Sequence, residues 1–315
     1  INLAIEEFLL RHIVNDAPIL FFYVNAPSVI VGRNQNVFEE IDFDAVRKQG
    51  IPVLRRLSGG GTVYHDPGNI NFSLITPDQD LLNNYTAFTK PVLNALREVG
   101  LTAELRNRSS IFIGNKKVSG NAQYATAGRL VSHGTLLFNS DLDRLRRTIR
   151  PRHQQVVSRA VQSVRSRVAN LSDLLDRDIS LGTVKDHIKQ AFFGFGPTVP
   201  YRLSEEDWKV IQGIAEERYR SWSWNIGRSP KFSTTRCAQT DYGEVVLEIT
   251  VSKGTIQTVR PTVNNPQLDH AVTALCGCLQ GVRYDLHDIA IALHYCSEDP
   301  IPPGLSEDQL LDLIY

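Results

Sequence analysis

Methionine is absent from all 315 residues, and cysteine (four) and tryptophan (three) are scarce. The missing methionine, at the first position as elsewhere, carries the expectation that residues are missing from this sequence. Cys237, Cys276, Cys278 and Cys296 all fall in the last quarter, so nothing before Cys237 offers a thiol nucleophile. Cys276 and Cys278 stand two apart in a helix-like stretch, where side chains diverge, which argues against a zinc pair. Charge of one sign is not in excess either, since 34 Lys and Arg balance 34 Asp and Glu. A general nucleic-acid binder needs surplus cations to displace counterions and is excluded on that ground. No apolar run approaches the roughly 20 residues of a membrane-spanning helix, and no signal peptide is visible. The expectation is a cytoplasmic protein with reduced thiols, an organelle matrix being the other reducing setting.

The informative segment is Arg55-Arg56-Leu57-Ser58-Gly59-Gly60-Gly61-Thr62-Val63-Tyr64-His65-Asp66-Pro67-Gly68-Asn69. Three consecutive glycines give up packing and cost folding entropy, so a fold rarely keeps them without a use. One use is to let backbone N–H groups approach a phosphate or acyl group that a Cβ would block. A flexible turn between strands is the plainer alternative. The arginine pair tilts the reading toward an anion site.

Along the chain, apolar periodicity predicts an opening helix over 2–14 and β-rich runs over 19–24 and 28–32, a hairpin-like pair split by Ala26-Pro27. A helix over 43–49 stops at Gly50, and a strand over 51–56 delivers the arginine pair to the glycines. Strands follow over 62–65 and 70–75, then an amphipathic helix over 85–99 ended by Gly100. A hairpin turns through Gly114-Asn115, a strand runs over 131–138, and helices are expected over 142–149, 183–193 and 205–220. Near Pro230 a smaller unit begins, with strands over 245–251 and 255–259 around Lys253-Gly254 and helices over 268–279, 286–293 and 307–313. Adjacent strands without intervening helices make the fold class α+β.

Two further segments carry candidate chemistry. In Lys116-Lys117-Val118-Ser119-Gly120-Asn121-Ala122, a strand lysine just before a Ser-Gly turn can present an ammonium beside a backbone-lined pocket. With a reference pKa of about 10.4 it suits a phosphate or carboxylate partner rather than base work. Solvated hairpin charges are the plainer reading of that lysine pair. His133, in Ser132-His133-Gly134-Thr135-Leu136-Leu137, precedes an apolar strand, where a lone histidine is most often a structural hydrogen-bonder.

Taken in order, these three segments resemble the lipoate–protein ligase family of the biotin and lipoate protein ligase superfamily. Asn2-Leu3-Ala4-Ile5-Glu6-Glu7, Ser163-Val164-Arg165-Ser166-Arg167-Val168 and Ser221-Trp222-Ser223-Trp224-Asn225-Ile226-Gly227 extend the resemblance over nearly the whole chain. It implies a mixed-sheet catalytic domain of the class II synthetase and biotin ligase type over 1–229, and a small α+β accessory domain over 230–315. The implied reaction uses ATP, with Mg²⁺, to convert (R)-lipoate to lipoyl-AMP and pyrophosphate. The acyl group then passes to a lysine of lipoyl carrier domains, in 2-oxoacid dehydrogenase acyltransferase subunits and the glycine-cleavage H protein. Lys117 matches the family's essential lysine, placed at the acyl carbonyl and α-phosphate. By the same resemblance Arg56 holds the nucleotide or acyl end, and Gly61, Thr62, Val63 and Tyr64 lie along the ligand. Ser58 and the flexible Gly59 and Gly60 belong to that loop. Asn69 and His133 neighbour the acyl carbonyl, Gly134 and Thr135 belong to the ATP and lipoyl-AMP site, and Arg165 and Arg167 sit on a mobile loop over the adenylate. The accessory domain is expected to swing about an exposed span near Ser229-Pro230. Octanoate is expected as a poorer substrate, since each methylene is worth only about 0.8 kcal/mol.

The chain departs from the family where Arg106-Asn107-Arg108-Ser109-Ser110 replaces an Arg-Asn-Asp run, so a carboxylate expected to face the nucleotide is absent. Gln123-Tyr124 also stands where a basic residue is common. One alternative is therefore a lipoyltransferase that takes preformed lipoyl-AMP and has lost adenylation. A thiol-based acyl transferase lacks its cysteine here, a biotin ligase lacks its Gly-Arg-Gly-Arg-x-Gly loop, and a Walker phosphate loop lacks its Gly-Lys-Ser/Thr. A non-catalytic module whose glycine loop cradles an anion is the reading from another class.

Overall fold

The alternating run Asn69-Ile70-Asn71-Phe72-Ser73 has the period of a strand with one polar and one apolar face, and it lies inside a six-stranded sheet. The computed structural model describes residues 1–14, 16–126, 128–149, 156–296 and 301–315. It divides into two units, one of Ile1–Gln35, Glu40–Arg150 and Gln162–Ser221, the other of Asn36–Glu39, Pro151–Val161 and Trp222–Tyr315.

The first unit contains strands β1 (Ile19–Tyr23), β2 (Ser28–Val31), β3 (Val53–Arg55), β4 (Val63–His65) and β5 (Asn69–Thr76). They are followed by β6 (Ala103–Arg106), β7 (Ser110–Ile113), β8 (Lys116–Thr126) and β9 (Arg129–Leu137). The large sheet is antiparallel in the order β1-β5-β9-β8-β7-β6. A smaller sheet has the order β3-β2-β4, with β2 parallel to β3. The hairpin-like pairing expected of 19–24 with 28–32 does not form, because β1 joins β5 while β2 joins β3 and β4. Pro27 holds Ala26 away from the helical region, and no residue between the two strands takes the positive φ of a tight hairpin. The chain therefore passes from one sheet to the other.

Register explains the two faces. Ser73 stands opposite His133, Asn71 opposite Thr135 and Asn69 opposite Leu137, which gathers polar side chains on one side. Ile70 opposite Leu136 and Phe72 opposite Gly134 point to the other side. There they join Phe88, Val92, Ala95 and Leu96 of the helix Tyr85–Glu98 and Val184 and Ile188 of the helix Leu181–Phe193. The helix Tyr85–Glu98 starts where Asn84 caps the Ala87 N–H, and it stops before Gly100 at φ +93°. Burying its apolar stripe leaves the sheet's opposite, polar face for chemistry.

The second unit holds β10 (Val156–Ser158), β11 (Phe232–Thr240), β12 (Gly243–Ser252) and β13 (Thr255–Val263) as one antiparallel sheet in that order. The turn expected at Lys253-Gly254 forms with both residues at positive φ. Helices Pro266–Leu279, Leu286–His294 and Glu307–Ile314 complete the unit. Phe38, Phe232 and Tyr284 pack with ring centroids 5.0 to 5.6 Å apart. β11 had no sequence signal because its inward positions include Thr234 and Arg236, which are polar. The units change over between Ser221 and Trp222. Ser229 is buried, and its hydroxyl accepts the Val37 N–H at 3.4 Å within the second unit.

Candidate active site

The arginine pair is built into the glycine loop rather than left free beside it. Arg55 is fully buried, and its Nη1 donates to the carbonyls of Gly32 at 2.9 Å and Gln35 at 2.7 Å. Arg56 donates from Nη1 to the Ile30 carbonyl at 3.1 Å and from Nη2 to the carbonyls of Gly59 and Gly61, each at 2.7 Å. Its Nε donates to the Ser58 hydroxyl at 3.0 Å. A planar guanidinium suits this work because its fork of donors meets several carbonyls at once. Gly60 takes φ +86°, which bends the loop around the guanidinium. Gly32 lies so close that a Cβ there would stand 2.1 Å from the Gly60 carbonyl oxygen. Burial brings the Arg56 guanidinium down to about 10, Tyr23 and Glu6 acting in the opposite direction.

A buried chain of hydrogen bonds backs the loop. The Ser58 hydroxyl lies 2.6 Å from His133 Nε2, and His133 Nδ1 lies 2.9 Å from Glu6 Oε1. Ser73 also donates to Glu6 Oε2. Although burial alone would raise the Glu6 carboxyl, His133, Ser73 and Arg56 together hold it below its ordinary value. His133 therefore has the hydrogen-bonding environment expected of it, with one ring nitrogen on the glycine loop and the other on the first helix.

His65 behaves differently. It is buried, Asn25 Nδ2 donates to its Nδ1 at 2.9 Å, and burial pushes its pKa down to about 3, with Arg56 and His133 adding to the effect. The folded state thus keeps His65 neutral at pH values where the unfolded chain protonates it. Stability from this group is complete above the unfolded pKa near 6.5 and falls as pH drops toward 3, by about 1.4 kcal/mol per pH unit. His65→Gln is expected to flatten the decline of the urea midpoint between pH 6 and 4 by one proton's worth, and equal slopes in the two proteins would refute this.

Above the polar face lies a cavity of about 290 Å³. Thr62, Val63, Tyr64, Lys117 and Thr135 line it, as does Arg165. So do Ser119, Gly120, Leu137, Leu145, Arg146, Ile149 and the segment Ser163–Ser166 with Val168. Lys117 is partly buried, and neither a hydrogen bond nor an ion pair to its Nζ is found among the described residues. Burial, reinforced by the Arg56 charge, lowers the Lys117 pKa. Arg56, Ser58, Asn69, His133 and Gly134 support the walls from behind: Asn69 is fully buried and donates to Asn71 Oδ1, and a Cβ on Gly134 would collide with Asn121 and Phe72. Arg167 gives its carbonyl to the Lys117 N–H at 2.7 Å, while its own side chain is exposed and does not line the cavity.

Three lining residues are cationic, Lys117, Arg146 and Arg165, and none is acidic. The arrangement can therefore hold a polyanion and stabilise charge that grows on a phosphate or an acyl oxygen. Arg106–Ser110, where a carboxylate was missed in the sequence, forms the β6–β7 turn. There Arg108 Nη2 donates to Asn83 at 2.9 Å and the Ser109 carbonyl accepts from Asn121. Among the described residues no cluster of three His, Cys, Asp or Glu side chains could hold a metal ion. The residues around the cavity do not form a Mg²⁺ site of their own.

Sequence reading missed the helix Leu142–Thr148 as a wall and Ser163 as a structural post. The signal for the wall was present, because Leu142, Leu145 and Ile149 form an apolar stripe and Arg146 lies beside it. For Ser163 there was none.

Known proteins resemble this chain in sequence and fold. The lipoyl protein ligase A/B catalytic domain matches residues 1–193. Lipoate-protein ligase LplJ of Bacillus subtilis is 40% identical over 319 aligned residues, covering 100% of this chain and 96% of its own. A lipoate protein ligase of Thermoplasma acidophilum, solved with bound lipoic acid, is 30% identical with a TM-score of 0.62, covering 71% of this chain and 93% of its own. A lipoate-protein ligase A bound with ATP is likewise 30% identical with a TM-score of 0.62, covering 72% and 93%. These matches agree with the α+β architecture and the ligase resemblance read from the motifs. The chain belongs to the lipoate–protein ligase family.

Proposed function

We propose that this chain joins lipoate to protein in two steps at the cavity beside Lys117. In the first, a lipoate carboxylate oxygen attacks the α-phosphorus of ATP, the bond to the β-phosphate oxygen breaks, and pyrophosphate leaves. In the second, a carrier lysine amine attacks the acyl carbon of lipoyl-AMP, an amide forms, and AMP and the amine proton depart. The observation that carries this reading is one cavity lined by three cations and no carboxylate, with a lysine that has no protein anion among the described residues. Bringing a carboxylate to a triphosphate sets like charges together, and such a lining offsets that repulsion. Lys117 is assigned to the α-phosphate and acyl carbonyl, with Thr62, Val63, Tyr64 and Thr135 along the ligand. Arg56, Ser58, Gly59, Gly60, Gly61, Asn69, His133 and Gly134 act by fixing the loop and strand that bear those residues. Mg²⁺ bound to the nucleotide itself would supply charge neutralisation on its phosphates. The catalytic part is the span 1–229 and the accessory part 230–315.

A bi-partite lipoate protein ligase of Thermoplasma acidophilum, similar to this chain, is described together with its E2 lipoyl domain. The acceptors proposed are the lipoyl domains of 2-oxoacid dehydrogenase acyltransferase subunits and the glycine-cleavage H protein. No helix among the described residues is long and apolar enough to cross a membrane.

The experiment is pyrophosphate release from lipoate and ATP without any carrier. Release of one equivalent per enzyme supports adenylation here. No release, with carrier modification intact when lipoyl-AMP is supplied, would establish the transfer-only alternative that the carboxylate-free lining raises. Arg146 is tested in the same assay. Arg146→Ala is expected to raise the KM for ATP about tenfold, the size of one lost charge-assisted hydrogen bond, and to leave transfer from supplied lipoyl-AMP unchanged. An unchanged KM would remove Arg146 from the nucleotide site.

A further inference from the structure

Ser163 makes more hydrogen bonds than a wall residue needs, and they all serve one bracket. Its backbone N–H donates to Glu40 Oε1 at 2.9 Å and its hydroxyl donates to Glu40 Oε2. The same oxygen accepts the Thr62 N–H at 2.9 Å and Gln35 Nε2 at 3.1 Å. A serine hydroxyl has one proton to give and two lone pairs to fill, so all of its capacity is used. Gln35 turns its other amide atom to the glycine loop, where Oε1 accepts from Thr62 Oγ1 at 2.9 Å and from the Gly32 N–H at 2.8 Å. Gln35 is fully buried, and Glu40 is 5% exposed. The third glycine belongs to this bracket, because a Cβ on Gly61 would stand 3.0 Å from Ser163 Oγ.

The segment is tied at its far end as well. Lys117 N–H donates to the Arg167 carbonyl at 2.7 Å, and Ala169 N–H donates to the Lys117 carbonyl at 3.1 Å. Between Ser163 and this backbone pairing lie Val164, Arg165 and Ser166, for which no hydrogen bond is found among the described residues, and all three line the cavity. An arch of three residues, carrying one guanidinium, is thus anchored at one end to the glycine loop and at the other to the strand of Lys117.

We propose that Glu40 is a positioning residue that clamps this arch over the acyl-adenylate and keeps the intermediate from escaping before a carrier arrives. Direction is what the carboxylate contributes. It accepts both protons of Ser163, which leaves the serine oxygen free to accept from Thr62 and Gln35. A glutamine at 40 could present a donor instead, and the serine proton would then lack its acceptor. The inference rests on the adenylation reading, since the arch needs an intermediate to retain.

The test combines three measurements on the full chain and on Glu40→Gln, Ser163→Ala and Glu39→Gln. They are the pyrophosphate burst with lipoate and ATP, the lipoyl-AMP retained on enzyme after rapid gel filtration, and the rate of tryptic cleavage after Arg165. Glu40→Gln, at a residue outside the cavity lining, is expected to keep the burst within about twofold, and Glu40→Gln and Ser163→Ala are each expected to retain about tenfold less lipoyl-AMP, the scale of one lost hydrogen bond to a charged group. Cleavage after Arg165 should quicken by a similar factor, while Glu39→Gln matches the parent. Retention and cleavage at parental values in both variants would overturn the clamp. So would loss of the burst in step with retention, since the residues would then be shaping the chemistry itself. Should Glu40→Gln fail to fold, Ser163→Ala decides alone. A parent enzyme without any burst would refute adenylation, and the clamp would then stand or fall on cleavage after Arg165.

Discussion

Pyrophosphate release by Lys117→Ala is expected to fall by about 10²–10³, the cost of removing one preorganised donor aimed at developing charge. The expected loss is mainly in kcat, because the ammonium is most needed when charge shifts onto the α-phosphate and acyl oxygens. Folding should be spared. The Lys117 Nζ has no protein anion among the described residues, so its removal breaks no described ion pair and relieves its repulsion with Arg56. The lowered pKa adds a second readout. The charged form is lost as pH rises through a value below the ordinary lysine range, so the alkaline limb of the first half-reaction should fall below that range. Lys117→Arg, which stays charged, should move that limb upward whatever its rate. A Lys117→Ala enzyme with parental pyrophosphate release and the same urea midpoint would sink the catalytic assignment.

The second large effect is on stability. Arg56→Ala is expected to cost on the order of 3–5 kcal/mol, because it strands the buried carbonyl of Ile30, takes the donors from the half-buried carbonyls of Gly59 and Gly61, and removes a cation that helps hold Glu6 ionised. Lysine should recover little of this, since a single ammonium cannot reach in three directions at once. Equilibrium urea unfolding checks the figure. A loss below 1 kcal/mol would mean that the glycine loop holds its shape without the guanidinium. Activity should fall in parallel, yet the KM for ATP measured well below the unfolding midpoint separates loop shape from global stability.

Helices and motifs were legible to the degree that local rules governed them. The helix Tyr85–Glu98 could be read because its apolar spacing and Gly100 agree, and the structure adds the Asn84 cap. β10 spans only three residues, and β11 turns Thr234 and Arg236 inward, so neither showed the expected alternation. The hairpin expected at Ala26-Pro27 failed because strand pairing is decided by register with distant partners, Ile75 for Ile19 and Val53 for Val29. The arginine pair was read as anion-binding from its charge alone. Nothing in the sequence indicated that six carbonyls, those of Gly32, Arg33 and Gln35 for Arg55 and those of Ile30, Gly59 and Gly61 for Arg56, would occupy it first.

By itself the sequence determined an anion site, through the glycine run, the arginine pair and Lys117, while the order of its motifs carried the resemblance that implies the reaction class. Tertiary structure decided which of those residues face the cavity and which hold its walls. Glu40 and Ser163 are 123 residues apart, and Glu6 and His133 are 127 apart, so only the closed sheets bring them within a hydrogen bond. Such contacts depend on packing over the whole unit, and no short window of sequence contains them.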